Sequence, residues 1–238
     1  MSSEAPTESG HGEQEPLLGR TGDASQVDGK PLVHNLVLGT AIVGQFGIWI
    51  QAAIVWSAVF SNDLILFSAH PLLNTAGLVL LTQGALILQP THTPSQKKRG
   101  TYVHGFLNNL GVDCLIAGLV IIEVNKYKNG IPHFESAHSI LGFITYVLMF
   151  LQAIVGFLQY FTPTVFGGEA KAKAVYKYHR ISGYLVFTLA LATVCAATQT
   201  SYNRSVLFIP LWTVIVASVI TLMGVVPRIK KEKLGISS

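Results

Sequence analysis

Half of the 238 residues are hydrophobic and only 12% are charged, about half the charge fraction of an ordinary soluble domain. With a mean hydropathy of +0.48, the composition points to lipid rather than to a water-soluble globule. The net charge of +4 argues against nucleic-acid binding, because the basic residues cluster at the ends of apolar segments, as membrane topology alone requires.

The first thirty residues are polar, rich in Gly, Ser, Glu and Thr. Such a segment buries too little apolar surface to offset its ordering entropy, so 1–30 is expected to be a disordered tail with no signal peptide. Within it, Glu13 followed by Leu17 and Leu18 fits an acidic dileucine sorting string. That string favours a vacuolar, lysosomal or endosomal membrane, with the plasma membrane as the alternative.

Six apolar stretches follow, at roughly 33–60, 66–88, 102–124, 135–160, 177–198 and 206–226. About 20 helical residues cross the ~30 Å of hydrocarbon. In lipid every backbone polar group must bond internally, so continuous apolar stretches predict helices. The expected organisation is a tail at 1–30, an all-α six-helix membrane domain at 31–228 and a basic tail at 229–238. Thirteen of the sixteen Lys and Arg fall on the side shared by both termini; the other side has only Lys126, Lys128 and Arg204. The positive-inside rule places both termini in the cytosol. Cys114 and Cys195 lie inside apolar stretches and read as small buried hydrophobes. Asn203-Arg-Ser is a glycosylation string too close to a helix to be used.

Ionisable groups inside a membrane are costly and mark function. His70, His104, His138 and His179 stand near the starts of four successive apolar stretches, spaced by 34, 34 and 41 residues. They alternate between the two faces: His70 and His138 near the non-cytosolic surface, His104 and His179 near the cytosolic one. Two histidines at one depth ligate one iron from both sides, which gives one candidate haem per leaflet. The lack of a C-x-x-C-H string excludes covalent attachment. One turn beyond each histidine, on the same helix face, stand Asn74, Asn108, Gly142 and Gly183. Glycine leaves room for a porphyrin and asparagine offers a hydrogen bond. Small residues that let helices approach closely are the simpler reading of the glycines. The two inward levels are expected ~15–20 Å apart.

The strings F-S-A-H-P-L-L-N-T, K-K-R-G-T-Y-V-H-G-F-L-N, H-F-E-S-A-H-S-I-L-G and Y-K-Y-H-R-I-S-G resemble the cytochrome b561 family, over about residues 35–225. The resemblance implies a central four-helix bundle with two b-type haems, flanked by the first and last helices. It implies His70 paired with His138 and His104 with His179. It also implies an oxidoreductase that moves an electron from cytosolic ascorbate to monodehydroascorbate or ferric iron on the far side. A basic aromatic rim of Lys97, Lys98, Arg99, Tyr102, Lys177 and Tyr178 lies beside the inner haem and suits an ascorbate anion. His133 and Phe134 resemble the outer substrate edge. Expected partners are ascorbate, monodehydroascorbate or a ferric chelate, the bilayer and, as an option, a second copy of the chain. The competing readings are a haem-binding sensor or assembly protein without turnover, and a transporter whose histidines relay protons. Asp113, nine residues past His104, is outside the family pattern and reads as a hydrogen-bonded structural acid or a proton acceptor.

Overall fold

The computed structural model describes residues 24–235. Six helices long and apolar enough to cross a bilayer make up the fold: α1 (Ala41–Phe60), α2 (Ala69–Leu88), α3 (Pro94–Asn129), α4 (Ala137–Phe161), α5 (Glu169–Ala197) and α6 (Leu211–Val225). No strand occurs among the described residues.

Local chemistry sets where these helices begin and end. The Thr93 hydroxyl accepts from the Gln96 N–H and the Gln96 side chain accepts from the Thr93 N–H, a reciprocal cap with Pro94 opening the helix. Gly130 closes α3 in the left-handed region at φ 60°. These caps extend α3 to 36 residues, well beyond the apolar stretch 102–124. The first expected stretch is broken, because Gly39 at φ 56° turns the chain. A 3₁₀ turn at Leu32–Leu36 is left ahead of α1. The last stretch shortens to α6 because Pro210 opens that helix. Ahead of it, the buried Asn203 amide donates to the carbonyls of Thr198 and Ile209.

The helices pair as α2 with α3, α4 with α5, and α1 with α6. Glycine makes two of these contacts close. A methyl group on Gly77 would lie 2.8 Å from the Gly111 carbonyl oxygen, and one on Gly47 would strike the backbone of Thr221. Close backbone approach replaces the missing hydrophobic drive inside lipid. The α2–α3 and α4–α5 hairpins face each other across a layer of Leu81, Val112, Met149 and Val186, one residue from each helix.

The end at which the described chain begins and finishes is clasped by Arg228, which is 2% exposed. Its guanidinium donates to Gln89 Oε1 and to the carbonyls of Leu38, Asn35 and Leu86, so α6, α2 and the segment before α1 meet on one side chain. No carboxylate takes part. The carbonyls near the C-terminus of α2 supply the negative potential instead. Residues 1–23, with Glu13, Leu17 and Leu18, lie outside the described residues. Within the expected tail at 1–30, Gln26 is buried, its N–H donates to the Pro90 carbonyl, and its Oε1 accepts from Asn35. The expected tail at 229–238 is likewise packed in part, through Lys233, whose ammonium donates to the carbonyls of Gln89 and Thr91.

Candidate functional site

The four histidines form two levels. His70 on α2 and His138 on α4 face each other with ring centroids 6.2 Å apart and planes at 84°. Two imidazole–metal bonds of about 2 Å plus two half-rings span about that distance, so these rings are placed to hold one metal between them. His104 on α3 and His179 on α5 form the second level, at the Arg228 end, and lie within electrostatic reach of each other. Gly84 on α2 meets His104 from fourteen residues beyond His70, which sets the levels about 21 Å apart along the helix.

Each ring needs a fixed tautomer to present a lone pair, and the backbone supplies it for three of the four. His70 Nδ1–H donates to the Gly118 carbonyl at 2.9 Å, His104 to that of Gly84 at 2.9 Å and His138 to that of Thr193 at 3.0 Å. A proton on Nδ1 leaves the Nε2 lone pair for a metal. Asn108 Nδ2 donates to His104 Nε2 at 2.8 Å, which marks Nε2 as the acceptor nitrogen. His179 Nδ1 is buried without a hydrogen-bond partner, and its ring packs on Gly156, where a methyl group would lie 2.8 Å from Cε1. At the His70–His138 level the ring spacing and both Nδ1–H bonds fit a haem held between the imidazoles; at the His104–His179 level the Nδ1–H bond of His104 and the glycine against His179 fit one.

The α2–α3 hairpin repeats itself. His70, Asn74, Gly77 and Gly84 recur 34 residues later as His104, Asn108, Gly111 and Gly118. Because α2 and α3 run antiparallel, each histidine reaches the last glycine of the other helix. A side chain on Gly84 would strike Asn108, and one on Gly118 would strike Asn74. Gly77, Gly84, Gly111, Gly118 and Gly156 were not singled out from the sequence; extending the 34-residue spacing past the asparagines reveals the first four.

The expected neighbours divide. Asn74 donates to its own helix at the His70 carbonyl and accepts from the Tyr146 hydroxyl at 2.6 Å, a tie between the two hairpins. A methyl group on Gly142 would make an ordinary contact with Thr193 Cγ2 at 3.7 Å, whereas one on Gly183 would lie 2.9 Å from Gln152 Nε2, so Gly183 serves α4–α5 approach. Lys97, Lys98 and Arg99 are exposed on the first turns of α3. Tyr102 packs edge-on against Tyr160 on α4, and Lys177 Nζ sits 5.1 Å over the Tyr178 ring. Arg180, beside His179 in its string, and Lys233, in no string, join this end: Arg180 donates to the Lys233 carbonyl. Burial, then the positive charges of Lys230, Arg180 and Lys97, push the Lys233 ammonium down to about 8. At the opposite end His133 pairs with Glu123 at 2.7 Å, and Phe134 packs against Phe143. Lys126, Lys128 and His133 line one shallow groove there.

Residues 69–205 match the model of the eukaryotic cytochrome b561 family. The chain belongs to the eukaryotic cytochrome b561 family. The match takes in both histidine-bearing hairpins and leaves out α1 and α6. Among curated relatives, the human and bovine transmembrane ascorbate-dependent reductases CYB561 are each 28% identical over 166 residues, 68% of this chain and 63% of theirs. The ascorbate-specific transmembrane electron transporter 2 of Zea mays is 27% identical over 158 residues, 66% of this chain and 64% of its own. The chain therefore spans less than two thirds of the length of these b561 relatives.

Proposed function

We propose that this b561 protein moves single electrons across a membrane between two b-type haems, one held by His70 and His138 and one by His104 and His179. The reading is carried by the three Nδ1–H bonds to backbone carbonyls, which leave Nε2 as the lone-pair nitrogen of His70, His104 and His138. A haem held by two imidazoles would supply a reversible one-electron iron couple with no open position for oxygen chemistry. The chain's own residues orient and insulate. The Gly118, Gly84 and Thr193 carbonyls hold three rings, and Asn74 with Tyr146 joins the hairpins. The Leu81, Val112, Met149 and Val186 layer keeps water from the space between the levels.

The donor proposed is ascorbate, which is named in the relatives' activities. The cationic rim of Lys97, Lys98, Arg99, Lys177, Arg180 and Lys233 beside the His104–His179 level would attract an anion. Tyr102 and Tyr178 add aromatic faces to it. The acceptor proposed is monodehydroascorbate or a ferric chelate at the Glu123–His133 end, beside Phe134. Both termini are proposed to be cytosolic, by the excess of Lys and Arg at their end. The acidic dileucine string at Glu13, Leu17 and Leu18 is proposed to send the protein to a vacuolar, lysosomal or endosomal membrane. The domain limits proposed remain a six-helix unit at 31–228 between two tails.

The test is a dithionite-minus-oxidised spectrum with a haem-to-protein ratio, followed by ascorbate reduction of the protein in sealed vesicles. Two haems per chain and rapid reduction from the terminal side are expected. A ratio below one, or no reduction by ascorbate, overturns the reading.

A further inference from the structure

Asp113 lies nine residues past His104 on α3, two and a half helical turns. It is thus on the opposite face of the helix and about 13.5 Å deeper. Its neighbour Val112 belongs to the central apolar layer, so Asp113 stands at mid-depth of the bundle. It is exposed and makes no hydrogen bond or ion pair among the described residues. Asn109, one turn away on the same exposed face, uses its amide nitrogen on the Gly105 carbonyl and leaves its side-chain oxygen free. Around them stand Tyr102, Phe106 and Val120, each about half exposed or more, the apolar surface expected toward lipid. Gly105 has open space beside it, so another helix can come close.

An acid and an amide oxygen facing hydrocarbon at mid-depth are costly without a partner. Among the described residues no cation meets them: Lys97, Lys98 and Arg99 open α3, Lys126 and Lys128 close it, Lys177 and Arg180 flank His179, and Arg228 is already surrounded by carbonyls. A second copy related by a twofold along the membrane normal would meet this face at equal depth, where the described residues offer no lysine or arginine to pair with Asp113. We infer that the Asn109–Asp113 face of α3 is a docking site for a transmembrane helix of another protein that carries a lysine or arginine near mid-bilayer.

The whole chain, reconstituted with its cofactors and fluorescently labelled, is mixed in phosphatidylcholine vesicles with synthetic Leu/Ala transmembrane helices. The helices carry a central Lys, Leu or Glu and an acceptor dye. Energy transfer should show the Lys helix associating about three- to tenfold more tightly than the Leu helix. Asp113→Asn should bring it to the Leu level and Asp113→Glu should keep it, with visible spectra unchanged. If Asp113→Asn does not fold, the ranking of the three helices on the unaltered chain still decides. Equal association of the Lys and Leu helices overturns the inference. Asp113-dependent self-association without any added helix also overturns it, in favour of a second copy.

Discussion

The imidazole of His70 on α2 is held by the backbone of Gly118 on α3, Nδ1 to carbonyl oxygen at 2.9 Å. The bond is possible only because Gly118 has no side chain and Asn74 fills the space a methyl group would take. The same bond recurs in mirror order between His104 and Gly84, so one hairpin equips both ends of the bundle with a ring of fixed tautomer.

Haem loss should therefore occur by level. His70→Ala and His138→Ala are expected to deplete the same haem, and His104→Ala and His179→Ala the other. Redox titration and low-temperature spectra of the four variants distinguish the two. Depletion of different haems by His70→Ala and His138→Ala would refute the pairing.

Gly77→Ala should weaken the α2–α3 contact. The added methyl group meets the Gly111 carbonyl oxygen at 2.8 Å, which is backbone and cannot swing aside. A loss of about 1–3 kcal/mol is expected, as for overpacking elsewhere. Gly105→Ala, on open space, should leave stability within about 0.5 kcal/mol of the parent. Denaturation in detergent compares the two, and equal effects would remove the contact from the account.

Lys233 carries the pH prediction. Its ammonium titrates near 8 instead of near 10.4, because burial and cationic neighbours disfavour the charge. The unfolded chain thus binds more protons than the folded one between these values, so this residue's contribution to stability rises with pH from about 8 to about 10.4 and is flat below 8. Its pull on an anion has the opposite sense: the charge is present below 8 and lost above it. Ascorbate affinity in the parent should fall as pH rises through 8, and Lys233→Gln should flatten that step. A step of unchanged size in the variant would assign it to another group.

The exposed Lys97, Lys98 and Arg99 act at longer range. Attraction by such charges is screened over about 8 Å at physiological salt, so their replacement by Gln should slow ascorbate reduction and weaken its salt dependence. Reduction by a neutral artificial donor should hardly change, since the ring-holding bonds are elsewhere. Stopped-flow traces across a salt series provide the check; identical ascorbate rates in parent and variant would exclude this patch.

The sequence by itself determined the six spans, the two depths of histidine and their asparagine and glycine neighbours. Those follow from transfer free energy and from helical periodicity, both properties of short windows of chain. It also placed Asp113 half a turn from His104, but not which of those faces would be covered. Tertiary structure alone decided that Gly84 and Gly118 lie against Asn108 and Asn74, that Gly156 seats His179 and that Tyr146 ties to Asn74. It alone brought Arg228 and Lys233 back onto the end of α2, and left Asp113 outside the bundle. These are contacts between residues distant in the chain, fixed by which backbones approach closely enough to exclude side chains. They are fixed as well by which carbonyls remain for a buried donor, and no local window contains either quantity.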